Sequence, residues 1–201
     1  MDWIEQVRKR LSSLKAREIP NSFSREAAVL MPVFELAGEP HFLLTRRTEE
    51  VDTHKGQISF PGGMRENDEP LRETALRETL EEVGIESGRI EILGRFHDYL
   101  SINDFRVSPF VGLIHPPFKV VPQPAEVAEV LNVPFHVFRE PARLRVEKMV
   151  RAGRIIDVHF YSYGTHVIWG LTARIIKDFL EVLETPPAAG CDSVHGHTVP
   201  V

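Results

Sequence analysis

Residues 63–85 read GMRENDEPLRETALRETLEEVGI, and their spacing decides the fold. Gly63 is followed by Glu69, by Arg77-Glu78, by Glu81-Glu82 and by Gly84-Ile85. At about 100° per residue, Leu76, Leu80 and Val83 fall on one stripe, with Glu78, Glu81 and Glu82 on a front nearly opposite it. The spacing predicts a helix over 70–83, with Pro70 in its first turn and Gly84 as its stop. Glu78 and Glu82 are like charges four residues apart, which costs a solvated helix about 0.2–0.5 kcal/mol. Three carboxylates on one face, with no lysine among them, make better sense around a divalent cation, and oxygen donors suit Mg²⁺ or Mn²⁺.

Just upstream, Gln57-Ile58-Ser59-Phe60 alternates like a strand, and Pro61-Gly62-Gly63 breaks it. Glycines at such a turn let the backbone come close to a ligand. Further out, Ala27–Phe34 and His41–Thr45 read as strands around Gly38-Glu39-Pro40, and Ile90–His97 and Ser108–His115 as two more. Pro116-Pro117 and Pro122–Pro124 bound a stiff loop, and an acidic and apolar segment begins at Glu126. Val158–Tyr163 and His166–Trp169 read as a hairpin around Gly164, Trp169 as a core residue, and Leu171–Leu183 as a helix. Trp3, Ile4, Val7, Leu11 and Leu14 give residues 2–15 the apolar spacing of an amphipathic helix that packs on the domain. Strands with helices before, among and after them imply a layered α/β domain.

The run G-x5-E-x7-R-E-x-x-E-E-x-G-I resembles the Nudix box, the signature of hydrolases that split a diphosphate linked to another group. The resemblance implies a Nudix-type α/β/α sandwich around a mixed β-sheet and hydrolysis dependent on Mg²⁺ or Mn²⁺. It implies Glu78, Glu81 and Glu82 as metal ligands, joined by a backbone carbonyl of the glycine turn, Gly63 or Gly62. Arg77 would orient a box carboxylate, with Glu69 supporting that contact. Glu78, Glu82 and Arg77 then form the catalytic set together with Glu126, the leading candidate for a base from outside the box, with Glu129 as the alternative. Thr79 stands where the box prefers an apolar residue.

Leu43-Leu44-Thr45-Arg46-Arg47 followed by His54-x-Gly56-Gln57-Ile58-x-Phe60-Pro61-Gly62-Gly63 looks like a second signature, that of Nudix hydrolases cleaving coenzyme A. It implies substrate contacts from Arg46, Arg47, His54 and Gln57, the planar guanidinium being suited to phosphate. Thr48 and Val51 depart mildly from that pattern, while Asp52 stands where those relatives carry arginine, a charge reversal. The likeness continues through Val107–Gly112, Glu126–Val130 with Val133-Pro134, and Ile168–Ala173, so it covers about residues 25–183. Two readings compete with coenzyme A or its thioesters as substrate. One is a Nudix pyrophosphatase of nucleoside triphosphates, dinucleotides or nucleotide sugars. The other is a non-catalytic binding module, against which stands the complete set of box carboxylates.

Length and composition fit this reading. The 201 residues, 42% of them hydrophobic, suit one domain over 1–184 with an N-terminal helix inside 1–17. Residues 185–201 are rich in Pro, Ala, Gly and His and predict a disordered tail. A net charge of −5 argues against nucleic acid as a partner but not against a metal-bound diphosphate. Cys191 is the lone cysteine, which excludes an intrachain disulfide. No apolar run reaches 18 residues and the N-terminus lacks a signal-peptide core, so the expectation is a cytoplasmic protein with a small-molecule partner and no membrane partner. A homodimer is left open.

Overall fold

A computed structural model describes residues 2–20, 25–49, 56–101, 104–151 and 153–185. Its elements in chain order are α1 (Trp3–Ser13), β1 (Glu26–Leu36), β2 (Glu39–Arg47), β3 (Ile58–Ser59), β4 (Gly62–Met64), α2 (Leu71–Val83), β5 (Ile90–Arg95), β6 (Tyr99–Leu100), β7 (Arg106–Ile114), β8 (Val127–Pro134), β9 (Leu144–Arg151), β10 (Arg154–Tyr163), β11 (His166–Trp169) and α3 (Gly170–Glu184). The main sheet runs β3-β2-β1-β7-β5, with β4 on β1, β6 on β7 and β8 on β2. Among the described residues, β1 and β7 run parallel and the other paired strands of this sheet antiparallel, so it is mixed. A smaller antiparallel sheet, β11-β10-β9, leads into α3.

Strand alternation sends side chains to two different faces. Phe42 and Leu44 of β2 enter a cluster with Val7 and Leu11 of α1 and with Ile176, Phe179 and Leu180 of α3. Leu43 of β2 and Ala28 and Leu30 of β1 enter a second cluster with Ala75, Leu76 and Val83 of α2. Helices therefore cover both faces, the α/β/α arrangement expected for a sheet buried on each side.

β3 ends at Ser59, before Pro61, as expected, but the glycines that follow begin a strand of their own. Gly62–Met64 forms β4, paired antiparallel with Ala27–Val29 of β1. A β-carbon on Gly62 would lie 2.4 Å from the carbonyl oxygen of Ala28, so only glycine lets the two backbones close up. Besides β4, the sequence reading did not give β6, β8, β9 or the first half of β10 as strands. Trp169 is partly exposed rather than core, stacking on Phe160 at 5.7 Å between centroids.

The helix carrying the box is rolled relative to the sequence reading. Leu80 is 47% exposed, whereas Ala75, Thr79 and Val83 are fully buried. The inward stripe is centred on Thr79, about 60° from Leu76. Thr79 meets burial by donating its hydroxyl to the Ala75 carbonyl at 2.7 Å. The same roll carries Glu82 to the buried edge, where it is 4% exposed, rather than onto a solvated front. Gly84 stops the helix as expected, with φ 69°.

Candidate active site

β4 and α2 place the box residues against each other. A β-carbon on Gly63 would fall 2.4 Å from the Glu78 carboxylate, so that group rests directly on the glycine backbone. Burial pushes the Glu78 carboxyl up despite the hydrogen bond from Arg77. Glu82 lies deeper, and burial pushes it up to about 7, with the Glu78 charge acting in the same direction. Opposing this shift are Arg47, whose Nη1 lies 3.9 Å from Glu82 Oε1, and the backbone N–H of Gly62. The Thr45 hydroxyl is 3.4 Å from Glu82 Oε2.

Arg77 is the hub of the outer half. Its Nη2 donates to Glu69 Oε1 at 2.8 Å and to the Met64 carbonyl at 3.0 Å, and its Nη1 donates to Glu78 at 2.9 Å and Glu81 at 3.0 Å. The Arg77 hydrogen bond holds the Glu69 carboxyl at about 2, well below the usual range. Arg65 braces the loop that carries Glu69. It donates to the carbonyls of Glu69 at 2.7 Å and Asp68 at 2.8 Å, and pairs with Glu26 of β1 at 2.5 Å.

The outside residues divide by position. Glu126 precedes β8, is exposed, and adds its charge to the upward shifts of both Glu78 and Glu82. Glu129 is opposite Arg46 in the β2–β8 register and is engaged by Arg46 Nε at 3.1 Å and His166 Nε2 at 3.3 Å. Alternation puts Arg46 on the α1/α3 face and Arg47 on the α2 face with Thr45 and Glu82, so the two adjacent arginines do not act on one spot. The Nε of Arg47 is buried without a hydrogen-bond partner among the described residues. The Gln57 carbonyl accepts from the Arg47 backbone N–H at 3.0 Å. His54 and Asp52 lie outside the described residues.

Among the described residues, no three acidic, histidine or cysteine side chains close around a single point. Arg77 engages Glu78 and Glu81, and Glu81 stays 54% exposed. The fit to a divalent cation is instead one of charge and donor type. Glu78, partly buried, and Glu82, buried, lie within electrostatic reach of each other and of Glu126 and offer oxygen donors only, and burial shifts both toward protonation. Sequence reasoning missed Thr45 and Arg65. Arg65 sits inside the box run, but only the β1–β4 pairing shows that it reaches Glu26.

The family model of the NUDIX domain matches residues 24–153, more than half of the chain. The chain belongs to the NUDIX family. The Nudix hydrolase NudL of Photorhabdus laumondii, itself uncharacterised, is 37% identical over 80% of this chain and 86% of its own length. Nudix hydrolase 22 of Arabidopsis thaliana, a chloroplast protein, is 38% identical over 82% of this chain, which spans 57% of the plant protein's length. Among solved structures, a MutT protein from Methanosarcina mazei superimposes with TM-score 0.54 at 21% identity, covering 86% of this chain and all of that one. That likeness bears on the NUDIX fold alone. As a NUDIX hydrolase the chain is an enzyme acting on diphosphate bonds, in a family that generally uses divalent metal ions. No helix among the described residues is long and apolar enough to cross a membrane.

Proposed function

We propose that this NUDIX hydrolase cleaves the diphosphate of coenzyme A or its thioesters, giving 3′,5′-ADP and phosphopantetheine or its acyl form. The observation that carries the reading is that Glu78 rests on the Gly63 backbone and Glu82 lies 3.9 Å from Arg47, both within electrostatic reach of Glu126. Of the described residues of the coenzyme A signature, Thr45 and Arg47 flank this spot by side chain and Gln57 by backbone, while Arg46 points to the opposite face. Mg²⁺ or Mn²⁺, held by Glu78, Glu82 and Glu81 with the Gly63 carbonyl, would neutralise charge on the diphosphate oxygens. Arg77 holds Glu78 and Glu81 in place, anchored in turn by Glu69. Arg47 has an unmet buried donor suited to a phosphate oxygen. Glu126 would take a proton from water, a role favoured by the commitment of Glu129 to Arg46 and His166. His54 would complete the substrate contacts, and Arg46 would reach substrate only by leaving Glu129. Residues 1–184 form one domain in this reading, acting in the cytoplasm.

The test is steady-state kinetics with Mg²⁺ and with Mn²⁺ on coenzyme A, acetyl-coenzyme A, dephospho-coenzyme A, a dinucleoside polyphosphate and a nucleotide sugar. The reading requires the highest kcat/KM on coenzyme A or its thioester, and preference for a dinucleotide or nucleotide sugar would overturn it. Glu126→Gln should lower kcat with little change in KM, while Glu129→Gln stays mild. The reverse ranking would move the base to Glu129.

A further inference from the structure

Exposed aliphatic surface gathers on one element pair away from the box. β9 and β10 form a hairpin that turns at Gly153, φ 74°. Val150 and Ile155 are 76% and 70% exposed, and Met149 and Ile156 are 48% and 38% exposed. The register sets Val150 opposite Ile155 and Met149 opposite Ile156. Directly opposed residues share a face, and neighbouring pairs take opposite faces, so each face of the ribbon ends in an aliphatic pair. Such a cluster on a surface marks a contact with something outside the chain.

Charge identifies that contact. Residues 148–156 read KMVRAGRII, three cations and no acid, with Asp157 the first acid beyond them. Over 143–156 there are five cations and one acid, a net +4, in a chain whose total is −5, so the remainder carries −9. Nearer the base the charges are already used. Arg143 pairs with Glu140 at 2.5 Å, and Arg145 pairs with Glu147 and lies 4.3 Å over the Phe160 ring. Lys148 is exposed and stands opposite Asp157 in the register, with no ion pair formed between them. Arg151 and Arg154 add two further cations to the sequence of this stretch. Two copies meeting hairpin to hairpin would set +4 against +4. A nucleic acid would match the charge but would find no aromatic ring to stack on between 143 and 159.

We propose that the β9–β10 hairpin docks this protein onto an anionic membrane surface. The four aliphatic residues enter the boundary between headgroups and acyl chains, and the cationic residues of the same stretch balance lipid phosphates. The absence of a long apolar run, which underlay the expectation of no membrane partner, bears on spanning helices and not on a hairpin that enters only the interface.

The experiment is cosedimentation of the full chain with vesicles of phosphatidylcholine alone and of phosphatidylcholine with about one-third phosphatidylglycerol. The expected result is binding to the anionic vesicles only, weakened by salt. The double substitution Val150→Asp with Ile155→Asp should lower partitioning roughly tenfold or more, and Lys148→Glu roughly fivefold. Both variants should keep the wild-type melting temperature and the wild-type hydrolysis of soluble substrate. If the double variant unfolds, Lys148→Glu carries the test alone. Absence of binding to anionic vesicles, or binding that neither substitution changes, overturns the proposal. So does self-association that the double substitution abolishes while vesicles bind nothing, which would give the surface to a second copy.

Discussion

The two faces of the main sheet share the same strands and are built to different ends. On the α1/α3 face, Phe42 stacks on Phe135 at 4.1 Å and meets Phe60 and Phe179 edge-on at 5.6 Å and 5.9 Å, all four rings buried. On the α2 face the same strand offers Thr45 and Arg47, and the helix offers small Ala75 and Thr79 beside the buried Glu82. Both faces remove apolar area from water, the α1/α3 face through the larger cluster and without a buried carboxylate. The α2 face retains a carboxylate in a place where burial opposes its charge. Alternation along β2 keeps the two apart by a single residue step, so stability and chemistry can be perturbed separately.

The largest effect should come from the α2 face. Glu82→Gln keeps the shape and removes the charge, and should lower kcat by roughly 10²–10⁴ without loss of fold. Full activity of this variant at saturating metal would remove Glu82 from the catalytic set. The opposite face should respond in stability instead. Phe42→Ala should cost about 3–5 kcal/mol in denaturant unfolding, while the folded fraction keeps its kcat. A kcat that falls in step with stability would show that the two faces are coupled.

A pH titration sharpens the contrast. Without metal, Glu82 titrates near 4.5 in the unfolded chain and at about 7 in the folded one. Between those values the folded state holds a proton that the unfolded state has lost. Glu82 therefore disfavours folding progressively as pH rises through this window, by at most about 3 kcal/mol. His97 and His159, whose pKa values burial lowers, drive stability the opposite way as pH rises toward the ordinary histidine value. The difference between wild type and Glu82→Gln isolates the carboxylate. That difference should grow in favour of the variant from about pH 5 to pH 8 in EDTA and shrink when Mg²⁺ is restored. A flat difference would mean that Glu82 is ionised in the folded protein throughout. The smallest effect tests the roll of α2. Leu80→Ala should cost less than about 1 kcal/mol, against about 2–5 kcal/mol for Leu76→Ala. Equal costs would restore Leu80 to the core.

Much of this arrangement is legible in the residues. The glycines, the carboxylates and Arg77 are fixed in identity and spacing within one continuous run, so the helix, its stop at Gly84 and its acidic character follow from local rules. β1, β2, β5 and β7 announce themselves by apolar runs. β9 does not, because Arg145, Glu147 and Lys148 interrupt its apolar positions and the hairpin has little core to face. β8 reads as acidic because Glu126 and Glu129 lie where it begins, yet its pairing with β2 makes it a strand.

The sequence by itself determined the family, the run of carboxylates on which the proposed site draws and the presence of helices among strands, because each depends on residue types at short, regular separations. Tertiary structure alone decided three things. It rolled α2 onto Thr79 and so buried Glu82, because the sheet and not the helix chooses which stripe is covered. It sent Arg46 to Glu129 and Arg47 to Glu82, because the phase of a strand's alternation is set by its neighbours. It also brought Glu126 within electrostatic reach of a helix more than forty residues earlier, because only strand pairing returns the chain to that edge of the sheet.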